Sequence, residues 1–335
     1  MSGGSKTGAA AGWVDAAGVL RERARVTWAL AEALEAACGG ARAEDAVGVV
    51  EAIVARAVGD AAPRGSARAP RKVVGAGRST ESGGAAAEAW RELQRVDLAG
   101  SQMPAVWFAS GGTGGNQATV ALGLGPDGGK QLLGVWAGGG GEHRCSQQVA
   151  SELFGRGLSR GATWLAVTEG QRALDLALRQ QWGPRVVMAH CQDRVAAAVT
   201  GHLPERLRAG AAGALRRAWD GPDVRRELEA LAASWQHDHP GAAARLLGEC
   251  EATAATAALG LRGALARRLR AVAPARYLLS CCVPGARGRS GQDWVAAVAL
   301  QALRRQEGFR RVPERAALGD LLRALGEWQA VRPAG

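Results

Sequence analysis

The stretch from Thr163 to Cys191, TWLAVTEGQRALDLALRQQWGPRVVMAHC, constrains the fold most. A short apolar run, TWLAV, ends in Thr168-Glu169-Gly170. Leu174, Ala177 and Leu178 follow at helical spacing, Gly183-Pro184 stops that segment, and a second run, RVVMA, begins. Two β-rich runs joined by about a dozen helical residues read as parallel strands with a crossover. Open α/β sheets place their chemistry at the carboxyl ends of strands. Glu169 is therefore the first candidate for a functional acid.

The chain ahead of this unit supplies more strands. Ala105–Ala109 (AVWFA), Gln117–Leu124 and Lys130–Ala137 (KQLLGVWA) are apolar runs, and Pro126-Asp127-Gly128-Gly129 carries a hairpin signal between the last two. A helix over Cys145–Phe154 then leads into the βαβ unit. The pattern predicts an α/β fold with a mixed sheet of five strands. Beyond Cys191 the sequence is helical as far as Pro274, with a loop over 284–291 and further helices over Trp294–Arg305 and about Arg315–Ala330. Trp107, Trp136, Trp164 and Trp294 are expected in the core. At the other end, residues 1–12 are small and polar, and 13–58 form an N-terminal helical region broken at Gly39-Gly40. Residues 59–85 are rich in Pro, Gly, Ser and Arg and read as a basic flexible linker. A helix over Ala86–Val96 opens the second region, 86–335.

The formal net charge is +11 and the pI near 10.5, which suits a polyanionic partner such as DNA. Arginine dominates, with only Lys6, Lys72 and Lys130 as lysines, and a GC-rich coding bias would also inflate Ala, Gly and Arg. The six cysteines form no CxxC pair, the N-terminus has no apolar signal region, and no run of about 18 apolar residues could span a membrane. A cytoplasmic protein with free thiols is expected.

Four glycine-rich stretches invite a phosphate-loop reading, and each lacks the context. Gly111–Gly115 follows a strand but leads into another strand; Gly138–Gly141 lacks a partner acid; the loops at Gly75 and Gly4 lack the P-loop pattern. A nucleotide-binding α/β enzyme using Gly111–Gly115 is the alternative from a different functional class. His237 and His239 sit in a helix-terminating loop before Pro240 and read as exposed rather than metal-binding. His190 and Cys191 are adjacent on a strand and so point to opposite faces, which argues against a dyad.

From about Val106 to Leu325 the sequence resembles the Mutator-type transposases of bacterial insertion sequences. ALGLGPDGGKQLLGVWAGGGGE (121–142) is similar to the family's second and third strands. RGLSRGATWLAVTEGQRALDLAL (156–178) resembles "RGL … viDG … AL", and HPGAAARLLGECEATAAT (239–256) resembles "hPgAAaSLrEGleEtlT". LRGALARRLRAVAPARYL (261–278) resembles the segment that normally ends in "TTNpiEs", and LRRQEGFRRVPERAALGDLLRAL (303–325) the C-terminal stretch. The resemblance implies a ribonuclease-H-like core with a large all-helical insertion, here about 203–272. It implies two Asp and one Glu holding two Mg²⁺ ions, and DNA inverted repeats as partner, with no membrane; a homo-oligomer is compatible with it. The chemistry explains the acids: two hard cations about 4 Å apart must clamp the attacking and leaving oxygens, and they need carboxylate ligands.

The departures fall on those positions. The first Asp of the family aligns with Ser110, the second with Glu169, and the Glu with Arg276. Glu169 is thus the single acid expected in a catalytic or metal-binding position. The family's Cys-x-x-His becomes Cys191 to Arg194, and its Arg-Asn pair becomes Ala197-Ala198. A transposase-family protein with an impaired active site is expected, or a DNA-binding relic or regulator without catalysis. Arg206, Arg208, Arg216, Arg217, Arg267 and Arg268 of the helical region are the candidates for phosphate contacts.

Overall fold

The computed structural model describes residues 80–331 apart from 114, 287, 307 and 310. They fall in the second of two compact units, Arg78–Gly335. The expected helices of 13–58 and most of the linker lie outside the described residues. The first described helix, α1, covers Thr80–Arg95, so it starts six residues earlier than the Ala86 expected from sequence.

Five strands form one sheet: β1 (Ala105–Thr113), β2 (Asn116–Leu124), β3 (Lys130–Ala137), β4 (Trp164–Thr168) and β5 (Val186–His190). Their order is β3-β2-β1-β4-β5. β2 runs antiparallel to both neighbours, whereas β1, β4 and β5 are mutually parallel. The α/β class and the five-stranded mixed sheet expected from the apolar runs are present. Helices α2 (His143–Gly155) and α3 (Arg172–Trp182) link β3 to β4 and β4 to β5.

The sheet is covered on both faces, which is why its parallel strands read as continuous apolar runs. Along β1, Ala105, Trp107 and Ala109 enter one core, while Val106 and Phe108 enter the other. β4 divides likewise, Leu165 and Val167 against Trp164 and Ala166, following the period-two alternation of strand side chains. α2 and α3 close the second core through Val149, Leu153, Leu174 and Leu178. Trp107, Trp136, Trp164 and Trp294 are all fully buried, as expected.

Beyond β5 come α4 (Gln192–Thr200), α5 (Glu205–Asp220), α6 (Val224–Trp235), α7 (Pro240–Ala258) and α8 (Gly263–Leu269). α4 to α7 share a separate core that includes Val199, Leu215, Trp219, Leu228 and Leu246. α7 bridges the two regions: its Leu246 belongs to that core and its Ala255 to the sheet core. Then α9 (Ala273–Cys282) lies on β1 and β2, and α10 (Gly291–Gln306) and α11 (Arg315–Val331) complete that layer. Pro274 does not simply end the helical run; it sits in the first turn of α9, where a missing N–H costs nothing.

One boundary differs in a way that matters. β1 does not end at Ala109 but continues through Ser110, Gly111, Gly112 and Thr113, paired with Thr119 to Asn116. A Cβ at Gly112 would lie 1.8 Å from the Asn116 carbonyl oxygen, so only glycine fits this tight hairpin end. Gly111–Gly112 are therefore ladder residues of two antiparallel strands. They are not a turn between a strand and a helix, which removes the geometric basis for a phosphate loop there.

Candidate active site

β1 and β4 are parallel neighbours, so their carboxyl ends lie on the same edge of the sheet. Ser110 is in the last half of β1, and Glu169 directly follows Thr168, the last residue of β4. Arg276 occupies the first turn of α9, the helix packed on β1. The three positions singled out from sequence thus converge on one spot although 59 and 166 residues separate Ser110 from Glu169 and from Arg276 in the chain.

Their contacts are direct. The Arg276 guanidinium forms an ion pair with Oε1 of Glu169. Oε2 of Glu169 accepts from the Gln171 side-chain amide at 2.7 Å and from the Ser110 backbone N–H at 3.4 Å. The Glu169 side chain is 3% exposed and that of Arg276 is 43% exposed, so the acid is sealed and the base reaches water. The Ser110 hydroxyl is engaged as well. It lies 2.9 Å from the Thr119 hydroxyl and accepts from the Gly140 N–H at 2.9 Å. Thr119 in turn donates to the Gly138 carbonyl at 2.9 Å. The glycines after β3 fold over Ser110, and Glu142 turns back to accept from the Gly139 N–H of its own loop.

This arrangement does not fit a divalent metal pair. Hard cations need several oxygen ligands carrying negative charge. Glu169 already has its charge offset by a guanidinium, and its second oxygen holds two other donors. Ser110 offers a neutral hydroxyl whose hydrogen bonds are all made within the protein. Among the described residues, no group of three or more His, Cys, Asp or Glu side chains could hold a metal ion.

A second polar cluster lies beside the first, and the sequence did not reveal it. His190 ends β5, in register with Thr168. Its Nε2 is 2.9 Å from Asp175 of α3, and its Nδ1 bonds Glu249 of α7. Arg245 pairs with Glu249 at 2.8 Å, one helical turn away. Burial works against a charged His190, but the hydrogen bonds and charges of Asp175 and Glu249 outweigh it and raise its pKa to about 9. The His190 imidazole is taken up by two carboxylates, and Cys191, expected on the same strand, lies past its end, buried as the N-cap residue of α4. His237 is fully exposed, consistent with the solvent-facing reading, whereas His239, the N-cap residue of α7, is half-buried.

The arginine candidates are distributed unevenly. Arg206, Arg208, Arg216 and Arg217 are exposed on α5. Arg206 and Arg217 are eleven positions apart, about three helical turns, and share a stripe that Arg216 adjoins. Arg208 points elsewhere and donates to the Leu203 carbonyl at 3.0 Å. Arg267 is exposed on α8, whereas Arg268 is half-buried and pairs with Glu314 at 3.4 Å. No described helix is long and apolar enough to cross a membrane.

Comparison with known families places this geometry in context. Residues 109–256 match the family model described as Transposase, Mutator family. The matched span contains Ser110 and Glu169 and ends before Arg276. No curated protein matches the chain.

Proposed function

We infer that this chain, a member of the Mutator transposase family, binds DNA without cutting it. The observation that carries the reading is the ion pair between Arg276 and Glu169 beside Ser110. Metal-dependent phosphoryl transfer stabilises charge on the attacking and leaving oxygens through two cations, and those cations are held by surplus carboxylates. Here the only acid of the three is compensated by a protein cation, so no surplus remains. Family membership supports a transposase-type ancestry of the function. The mixed five-stranded sheet, with Ser110 and Glu169 at adjoining strand ends and Arg276 on a helix beyond the insertion, supports reading the core as ribonuclease-H-like.

Binding rests on charge. The formal net charge is +11, and Arg206, Arg216, Arg217 and Arg267 are exposed. Each phosphate contact releases counterions, so affinity should fall steeply with salt. A cytoplasmic DNA-binding protein with free thiols follows from this reading.

The test uses the purified chain and duplex DNA in Mg²⁺ or Mn²⁺. Expected are a salt-sensitive mobility shift and intact strands. Strand cleavage that disappears in Glu169→Ala would overturn the silent-site reading. Absence of a shift even at low salt would overturn the binding reading.

A further inference from the structure

The polar cluster beside the site is continuous from the helical insertion to the residue after Glu169. Arg245 and Glu249 lie on α7 and pair at 2.8 Å. Glu249 accepts from His190 at the end of β5, and His190 donates on its other side to Asp175 of α3 at 2.9 Å. Asp175 also accepts from the Thr168 hydroxyl at 2.8 Å, and that hydroxyl accepts from the Gly170 N–H at 3.2 Å. Gly170 has φ 76, the left-handed region that favours glycine. A Cβ there would stand 3.4 Å from His190 Nδ1 and 3.8 Å from Glu249 Oε1. The backbone that carries Glu169 therefore rests on the cluster itself.

We propose that His190 is a positioning residue: held between Asp175 and Glu249, it clamps the Glu169–Gly170 turn to the helical insertion and so sets where Glu169 meets Arg276. Neither ring nitrogen is left over. An imidazolium has two N–H donors, one for each carboxylate, whereas a neutral imidazole has one. The clamp is complete only with the proton on. The charged groups facing the ring are Asp175 from α3 and Glu249 from α7, with Arg245 behind Glu249; β4 contributes the neutral hydroxyl of Thr168 through Asp175. The side chains of His190, Asp175 and Glu249 are 12%, 14% and 7% exposed, so water cannot readily replace a lost partner. With both nitrogens engaged, the ring has no site for a metal or for a substrate proton. The raised pKa of His190 agrees with this but is a consequence of the geometry.

The inference stands whether or not the chain binds or cuts DNA, and its test uses neither activity. The full chain, labelled with ¹⁵N-histidine, contains five histidines. One imidazole, the one lost in His190→Gln, should remain doubly protonated at about pH 8, where ordinary histidines are neutral. Glu249→Gln should lower its midpoint by about one pH unit or more. The positioning role is read from a double-mutant cycle between His190→Gln and Glu169→Gln in urea unfolding. Coupling of about threefold or more in the unfolding constant is expected. If His190→Gln does not fold, Asp175→Asn and Glu249→Gln identify the resonance by shifting it, and Glu249→Gln takes its place in the cycle. A midpoint near the ordinary histidine value, or additive costs, overturns the proposal.

Discussion

Replacing Arg276 by alanine should cost more stability than replacing Glu169 by glutamine, although each substitution breaks the same ion pair. The reason is the difference in burial, 3% exposure for the Glu169 side chain against 43% for Arg276. Removing one partner of a fully buried pair costs about 3–5 kcal/mol because the other charge is stranded. In Arg276→Ala the stranded group is Glu169. Gln171 and the Ser110 N–H still donate to it, and the space vacated by the guanidinium opens to water, so the cost should fall to about 2 kcal/mol. In Glu169→Gln the stranded group is a guanidinium that already reaches solvent, and the cost should be about 1 kcal/mol or less. For a unit of this size 1 kcal/mol corresponds to about 2–4 °C in Tm, so Arg276→Ala should melt about 4–8 °C lower and Glu169→Gln less than about 4 °C lower. Scanning calorimetry of both variants at neutral pH, backed by urea titrations, measures the order. Equal costs, or a larger cost for Glu169→Gln, would refute the argument that the sealed carboxylate is the vulnerable half.

Two further outcomes follow from the same structure. The pKa of His190 is raised from 6.5 to about 9, so its contribution to stability is fully present below pH 6.5 and is lost as the pH rises through about 9. At 1.36 kcal/mol per pH unit that interval amounts to about 3 kcal/mol, and it should appear as a decline in urea midpoint between those pH values that is absent from His190→Gln. Gly112→Ala should destabilise the hairpin by more than about 2 kcal/mol, because its Cβ would meet the Asn116 carbonyl at 1.8 Å. A circular-dichroism melt of that variant unchanged from wild type would mean that β1 does not pair to Thr113.

What the sequence made legible, and what it hid, has physical causes. AVWFA, WLAV and VVMA are buried on both faces, and such strands announce themselves as unbroken apolar runs. Glu169 could be placed because an acid directly after such a run sits at a strand end. The extension of β1 through Ser110, Gly111 and Gly112 was hidden, since glycine is depleted in strands and a glycine cluster reads as a loop. The start of α1 was hidden for a related reason: TESGG carries weak helix formers. Asp175 and Glu249 were hidden by distance. Each sits on an amphipathic helix where a lone acid reads as solvated, and their shared partner His190 is 15 and 59 residues away. Nothing local in the sequence marks a charge whose partner comes from another layer.

The two networks obey one rule of charge. At the first, the single acid Glu169 meets the single base Arg276. At the second, Asp175 and Glu249 meet His190 and Arg245, so the signs balance again, two against two, when the imidazole holds its proton. Both lie at the carboxyl ends of β4 and β5, the edge where an open α/β sheet would otherwise gather unpaired acids. A cluster of carboxylates at that edge would repel a phosphate backbone unless metal ions intervened. Here the compensating cations are side chains of the same chain: Arg276 on α9, Arg245 on α7 and His190 at the end of β5. The two networks are therefore close to neutral inside a molecule that is strongly positive as a whole. With Arg276 beside it, Glu169 meets a protein cation where it would otherwise stand as an unpaired acid.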